Sequence, residues 1–287
     1  MKIAIIGANG QLGSDLCKLI DKSDLIPLTI KDIDITNEVP CKELLLKLRP
    51  DIVINTAGYS RVDACESNDS DAYKVNAHGA KNLAIICKEI DAKLVHISTD
   101  YVFDGDKGSP YTESDTPNPK TAYGISKLAG ELFIRYLAPK YFIIRSSGLF
   151  GTAGCMDKGG GNFVDNMIKK AKAGDEIRVV SDEIISPTYT FDLAKAIINL
   201  IKTDNYGIYH ITNHGQCSWW EYTSKIFELL GMDVKIGKIL SAELRAKAHR
   251  PKYSVLDNNN LKAIGLDNMP SWKEALKAYL IEKGHII

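Results

Sequence analysis

The sequence predicts an α/β fold built on a doubly wound parallel sheet, and three observations predict it. Short β-branched runs alternate with amphipathic stretches along the first half of the chain. The runs are nearly continuously apolar, as strands covered on both faces are. The first of them ends in a glycine-rich turn that opens a helical stretch. At 287 residues the chain can bury a sizeable core and has room for a smaller appendage beside the sheet.

Taken in order, Lys2 to Ile6 reads as the first strand and Leu12 to Ile20 as the first helix, where apolar residues recur at helical spacing. Leu25 to Ile30 with Val39 to Leu48, and Asp51 to Asn55 with Ala72 to Ile90, repeat the pair. Further strands are expected at Lys93 to Ser98, Tyr141 to Arg145 and Ile177 to Val180. After Ser146 the rhythm falters: Gly148, Gly151, Gly154 and Gly159 to Gly161 make the segment too glycine-rich for a helix or strand, so it reads as a loop. Beyond it come helices at Phe163 to Ala173 and near Phe191 to Ile201, a short strand at Ile208 to Thr212, and helical segments to the end. The expected division is a dinucleotide-binding domain over residues 1–150, with parts of 163–203 returning to the sheet. Residues 151–162 and 204–287 form a smaller C-terminal substrate-binding lobe. With no repeat, low-complexity tract or Pro-rich linker, the lobes should pack together.

Charge and cysteine usage narrow the function classes. Lys plus Arg and Asp plus Glu each total 36, giving zero formal charge without long basic or acidic runs. A nucleic-acid or membrane-surface partner is therefore not expected. The cysteines Cys17, Cys41, Cys65, Cys87, Cys155 and Cys217 are scattered, with no C-x-x-C pair and no Cys/His cluster at metal spacing. No run reaches the ~18 apolar residues of a membrane helix, and Gly7 stops the first apolar stretch too early for a signal-peptide core. A soluble, cytoplasmic protein with free thiols is the expectation.

Gly7-Ala8-Asn9-Gly10-Gln11-Leu12-Gly13 lies between the first strand and the first helix. Missing side chains there let a pyrophosphate approach the backbone and meet the positive end of the helix dipole, which makes the sheet Rossmann-type. The spacing is G-x-x-G-x-x-G, and the alternative is a tight turn with close helix packing. An acid about 20 residues further on should meet the adenosine ribose; Asp32 and Asp34 both qualify. Either could instead cap the next helix, and Lys31 stands alongside, so NADPH and NADH both stay open.

A carbonyl that receives hydride becomes an alkoxide in need of a proton. A Tyr beside a Lys cation can supply it, because the cation favours phenolate. Bringing a phenol from ~10 to ~7 takes roughly 4 kcal/mol of differential stabilisation. On a helix the pair needs spacing i, i+4, and Y-x-x-x-K occurs at Tyr123/Lys127, Tyr136/Lys140 and Tyr279/Lys283. Pro139 breaks a helix through Tyr136 and Lys140, and Tyr279 lies in the C-terminal tail, so both of those pairs read as surface residues. Tyr123 opens a helix after Pro117 and Pro119, with Gly124, Ser126, Ala129 and Gly130 permitting close packing. The strand ending at Ser98 to Tyr101 brings Thr99 to a carboxyl edge of the sheet, where such folds bind ligands. There Thr99 can hydrogen-bond a substrate oxygen, or with Asp100 merely cap a turn.

Together the glycine turn, S-T-D-Y-V-F-D-G at Ser98 to Gly105 and Y-G-I-S-K at Tyr123 to Lys127 carry a resemblance. The chain resembles the dTDP-4-dehydrorhamnose reductases of the extended short-chain dehydrogenase/reductase superfamily. The likeness continues through Pro110-Tyr111-Thr112-Glu113, Ser186 to Thr190 and Arg250 to Ser254. It implies NAD(P)H-dependent reduction of dTDP-4-dehydro-6-deoxy-L-mannose to dTDP-L-rhamnose, a precursor of cell-surface polysaccharide. By that resemblance Tyr123 is the proton donor, Lys127 holds the nicotinamide ribose and tunes Tyr123, and Thr99 and Asp100 contact the sugar. Gly7, Gly10, Gln11, Leu12, Gly13, Asp34, Ile35, Ala57, Gly58, Tyr59 and Ser60 line the cofactor, with Tyr123 and Lys127. Sugar-nucleotide 4,6-dehydratases carry an Asp-Glu pair after the threonine; Asp100-Tyr101 here favours simple reduction. Some members place a tryptophan against the sugar where this chain has Gly148, leaving Phe150 or the Gly159 to Asn162 loop to hold it. Asn162 and Arg250 are candidate diphosphate contacts, the latter by bidentate hydrogen bonding unless it is a solvated helix end. Some relatives bind Mg2+ through interface acids; Asp15, alone, reads as a solvated first-turn residue, and no metal is expected. The competing readings are reduction of another 4-keto sugar nucleotide and a non-catalytic NADP-binding subunit like the regulatory subunit of methionine adenosyltransferase. Monomer and homodimer are both compatible with the sequence.

Overall fold

Strands and helices alternate as the hydrophobic pattern requires. The computed structural model describes residues 1–154, 160–244 and 246–286. The first part of the chain runs β1 (Ile3–Ile6), α1 (Gln11–Leu19), β2 (Leu25–Leu28), α2 (Glu38–Leu48), β3 (Ile52–Asn55), α3 (Val62–Cys65), α4 (Asp69–Ala72), a π-helical segment (Tyr73–Gly79), α5 (Ala80–Glu89) and β4 (Lys93–Thr99). It continues with α6 (Ala122–Leu137), β5 (Tyr141–Ser146), β6 (Leu149–Phe150), α7 (Phe163–Ala173), β7 (Ile177–Val180), β8 (Ile184–Ile185), β9 (Thr188–Tyr189) and α8 (Thr190–Leu200). The last elements are β10 (Gly207–His210), β11 (Cys217–Ser218), α9 (Trp219–Leu230), β12 (Ile236–Ile239), α10 (Asn259–Ala263) and α11 (Trp272–Glu282).

The main sheet has the order β10-β5-β4-β3-β1-β2, with every neighbour parallel. Successive side chains leave opposite faces of a strand, so β1 and β3 feed both sides. Ile3, Ile5, Ile52 and Ile54 meet Leu12 and Leu16 of α1 and Leu193 and Ile197 of α8. Ala4, Ile6 and Val53 meet Leu45 of α2, Leu83 and Ile86 of α5 and Ile134 of α6. From β1 the chain passes to β2 on one side and reaches β3 on the other. That reversal opens a crevice beyond the carboxyl ends of β1 and β3, where ligands of such sheets bind. Among the described residues, no helix is long and apolar enough to cross a membrane.

Three expectations need correction. Ile177–Val180 is a strand, but it pairs with β12 in a separate two-stranded sheet. Its place in the main sheet is taken by β10, where Ile208 faces Ile143, so residues 207–210 belong to the sheet and not to the smaller lobe. Of the returning stretch 163–203, α8 alone packs on the sheet, whereas α7 joins α9 and α11 around Val164, Ile168, Ile226, Tyr279 and Leu276. A four-residue apolar run specifies a strand but not its partner, which only the packed helices select. Finally, the helix expected over Ala72 to Ile90 carries the π-helical segment Tyr73–Gly79, and such segments are often found at functional sites.

Candidate active site

The crevice is walled first by the glycine turn. Gly7 adopts φ +83°, and a Cβ there would lie 2.7 Å from Thr56 Oγ1. A Cβ on Gly13 would stand 2.1 Å from the Gly7 carbonyl oxygen, so α1 packs on the turn as only glycine allows. Gly10, the N-cap of α1, brings no side-chain cap, and no acid occupies the first turn. The helix therefore presents open N–H groups and the positive end of its dipole to the crevice. Gln11 Oε1 is buried there without a hydrogen-bond partner among the described residues. The Leu12 and Ile35 side chains instead enter the two sheet cores, which leaves only their backbone for a cofactor. The Asp34 carboxylate accepts from Thr36 N–H (2.9 Å), Thr36 Oγ1 (2.7 Å) and Asn37 Nδ2 (3.0 Å). Asp32 turns back onto Thr29 N–H and Oγ1, both at 2.8 Å. Both acids thus order the approach to α2.

On the other wall, Ala57, Gly58, Tyr59 and Ser60 follow β3. Asn76, in the π-helical segment, accepts from Tyr59 N–H (2.9 Å) and donates to the Tyr59 carbonyl (3.0 Å) and to Ser126 Oγ (3.0 Å). One buried amide therefore ties this loop to α6. A Cβ at Gly130 would stand 2.3 Å from the Asn76 carbonyl oxygen, and one at Gly124 would stand 2.2 Å from that of Tyr101. These glycines let α6 lie against both neighbours, as the sequence suggested.

Thr121 caps α6 by accepting from Gly124 N–H at 3.0 Å, and the helix carries Tyr123 and Lys127 one turn apart beside the end of β4. Lys127 is only 4% exposed and donates to the Ile97 carbonyl at 2.6 Å. Its Nζ lies 3.2 Å from His96 Nε2, and a Cβ on Gly58 would be 3.9 Å away. Burial lowers its pKa to about 8, against the pull of Glu131. Half-buried Tyr123 meets Tyr101 edge-on at 5.7 Å between ring centroids. Burial raises the Tyr123 phenol above its ordinary range, and its hydrogen bond to Thr99 opposes that. The Lys127 nitrogen is turned toward β4.

Thr99 donates to Asp100 Oδ1 (2.9 Å) and accepts from Tyr101 N–H (3.2 Å). Asp100 is 5% exposed and also accepts from Ser147 Oγ at 2.8 Å. Burial raises its pKa while Ser254, Ser147 and Thr99 oppose the rise. Asp100 therefore orients Thr99 more than it faces a ligand. Behind them Glu131 accepts from Ser98 Oγ and from Arg145 Nε and Nη2, the last at 2.6 Å.

The remaining candidates divide. Arg250 is no solvated helix end: its guanidinium donates to Asp63 Oδ2 (2.6 Å) and to Tyr101 OH (3.2 Å), next to Tyr123. Asn162 is spent elsewhere, accepting from Asp165 N–H and donating to the Gly151 carbonyl and Tyr279 OH. It caps α7 and fixes the lobe, with no amide group left for a diphosphate. Tyr279, expected at the surface, is fully buried because it receives that bond and donates to Asp165 at 2.7 Å. Tyr136 is 86% exposed, as expected. Phe150 is 1% exposed and stacked on Tyr189, so it offers no face to a sugar. Gly148 has φ +56°, a conformation that strains any side chain. Of the Gly159 to Asn162 loop, Gly159 lies outside the described residues. Asp15 is fully buried and accepts from Thr190 Oγ1 (2.7 Å) and Lys18 (2.8 Å); it joins α1 to α8 and is not solvated. Sequence reasoning missed Asn55, Asn76, His96 and Glu131, although each is a polar residue inside an otherwise apolar strand or helix pattern.

Comparison with known proteins places these features. The family profile described as RmlD substrate binding domain matches residues 1–284. A spore coat polysaccharide biosynthesis protein of Bacillus subtilis, SpsK, is 42% identical, with 98% of each chain covered. The crystal structure of a dTDP-4-dehydrorhamnose reductase from Clostridium acetobutylicum superposes with a TM-score of 0.94 at 44% identity, covering 98% of this chain and 99% of that one. A dTDP-4-dehydrorhamnose reductase from Bacillus anthracis, solved in complex with NADP, gives the same TM-score and identity over 98% and 100% of the two chains. The chain belongs to the RmlD substrate binding domain family, on the fold of the extended short-chain dehydrogenase/reductases.

Proposed function

We propose that this chain reduces the 4-keto group of a dTDP-linked 6-deoxysugar with NADPH, converting dTDP-4-dehydro-L-rhamnose to dTDP-L-rhamnose. The observation that carries the reading is the meeting of Thr99, Tyr123 and Lys127 at the carboxyl edge of β4, beside a glycine turn that leaves α1 uncapped. The named activity of the Clostridium and Bacillus anthracis relatives supports it, and the NADP in the second supports NADPH ahead of NADH. The site fits such a cofactor: the α1 N-terminus and the unpartnered Gln11 Oε1 await polar partners. Gly7, Gly10, Gln11, Leu12 and Gly13 would hold the diphosphate through backbone N–H groups, and Ala57 to Ser60 with Lys127 would hold the nicotinamide half. When bound, NADPH supplies the hydride.

The chain's own part is the proton. Tyr123 donates its phenolic proton to the oxygen of the reduced carbonyl, and Thr99, held by Asp100, fixes the hydroxyl's direction. Lys127, as an ammonium one turn along α6 from Tyr123, would stabilise the phenolate left behind. Arg250, beside Tyr101, is placed for the anionic part of the substrate. A second reading, another 4-keto sugar nucleotide, is favoured by Gly148, which removes a stacking surface from the sugar side.

Purified protein incubated with dTDP-4-keto-6-deoxyhexose should consume NADPH faster than NADH, and NMR of the product should show the rhamno configuration. Turnover with an altered configuration selects the second reading. No oxidation of either cofactor, with tight binding to another protein, would leave the non-catalytic subunit.

A further inference from the structure

A buried polar chain runs from the end of β3 through β4 to Lys127, and the roles of its donors can be worked out. Asn55 is fully buried, so its amide finds no water to satisfy it. Its Oδ1 accepts from Ala57 N–H at 3.1 Å. A backbone N–H can only donate, which settles the orientation of the amide. Asn55 Nδ2 then faces His96 Nδ1 at 3.1 Å and must donate to it. An imidazole that accepts at Nδ1 carries its proton on Nε2 when neutral, and His96 is 1% exposed with its pKa held well below the ordinary value by burial and by Lys127. The Nε2–H therefore points at Lys127 Nζ, 3.2 Å away.

An ammonium has three donors and no acceptor, so a charged Lys127 would oppose N–H to N–H across that contact. A free amine has a lone pair for His96, one N–H for the Ile97 carbonyl at 2.6 Å, and a second N–H for the side of Gly58. We propose that His96, locked by Asn55 as the Nε2–H tautomer, is a positioning residue that favours the free-amine form of Lys127 over the ammonium. While it faces His96, the lysine gives up its proton more readily than an ordinary lysine. This builds on Lys127 belonging to the reductase site, but it concerns a resting state that can be read without turnover.

The ionisable groups around the pair are few. Glu131 lies one turn along α6 and favours the charged lysine; it is itself neutralised by Arg145 of β5 at 2.6 Å. Tyr123 lies one turn the other way, and Asp100 follows Thr99 at the end of β4. Among the described residues, the side of β3 brings Asn55 and the backbone of Ala57 and Gly58. Burial, opposed by Glu131, places Lys127 near 8, and the Nε2–H donor acts in the same direction as burial.

The test reads the nitrogens directly. In cofactor-free protein with isotope-labelled histidine, the His96 signals, assigned by their loss in His96→Phe, should show an unprotonated Nδ1 and a protonated Nε2. The reverse pattern overturns the proposal. With labelled lysine, Lys127 should titrate with a midpoint below about 8; a higher midpoint also overturns it. Asn55→Asp, nearly isosteric, accepts from both Ala57 N–H and a His96 Nδ1–H and so reverses the tautomer. It should raise the Lys127 midpoint by at least roughly one pH unit. The corresponding limb of the kcat/KM profile should move by the same amount. A purely structural role would lower kcat without moving that limb. An unmoved limb in a folded Asn55→Asp protein refutes the tuning role, and if that variant does not fold, the wild-type tautomer decides alone.

Discussion

Replacing Glu131 by Gln tests the charged network behind the site. Glu131 and Arg145 are 1% and 2% exposed and joined through Nη2–Oε2 at 2.6 Å and Nε–Oε1 at 3.0 Å. Arg145 also lies 5.2 Å from the centre of the Phe103 ring, and its Nη1 has no hydrogen-bond partner among the described residues. Gln preserves the shape and one acceptor but removes the compensating charge, leaving a guanidinium in a dry interior. Breaking one side of a buried pair costs about 3–5 kcal/mol. For a chain of this length, ~2 °C of Tm per kcal/mol gives a fall of roughly 6–10 °C. Differential scanning calorimetry at fixed pH measures it, with circular dichroism checking that the fold is kept. The double replacement Glu131→Leu with Arg145→Met should recover most of the loss, because an apolar pair no longer carries the desolvation cost. A fall below about 2 °C for Glu131→Gln, within the range of ordinary surface changes, would refute the claim that this pair is dry and mutually dependent.

Tyr123→Phe should lower kcat by about 10²–10⁴ while NADPH affinity, followed by fluorescence titration, stays within a few-fold; unchanged kcat would remove Tyr123 from proton donation. Gly13→Ala places a methyl group 2.1 Å from the Gly7 carbonyl oxygen, so α1 must back away from the turn and NADPH binding should weaken at least about tenfold, or ~1.4 kcal/mol; equal affinity would mean the diphosphate does not sit there. Lys127→Met bears on stability against pH. Because the folded pKa of Lys127, about 8, lies below the ordinary 10.5, the unfolded chain binds more protons between those values and stability rises with pH across that window. The cost is full below about 8 and gone above 10.5, so Lys127→Met should gain roughly 3 kcal/mol near neutrality and a gain that shrinks toward zero by pH 10.5; denaturant titrations of both proteins over that range would show a pH-independent difference if Lys127 were not desolvated.

Local physics made much of this molecule legible from its sequence. The strands β1 to β5 follow from apolar runs, α6 from its start after Pro117 and Pro119 and the break at Pro139, and the glycine turn from its place between strand and helix. Tyr123 and Lys127 were chosen by context over two other Y-x-x-x-K pairs, one of which begins with the exposed Tyr136. Such features depend on neighbours a few residues apart, so periodicity and capping carry them. What lay beyond reach depends on partners far along the chain. Which short strand joins β5 was decided by β10, 65 residues from its register partner, because a four-residue run does not name its neighbour. Asp15 and Tyr279 were each misjudged for one reason: a polar side chain looks the same in sequence whether it faces a ligand, water or another buried group. Only the tertiary fold supplied Thr190 and Asn162 as their partners. The same holds at the site: spacing alone set Tyr123 and Lys127 on one helix face, whereas the fold turned the lysine nitrogen to His96.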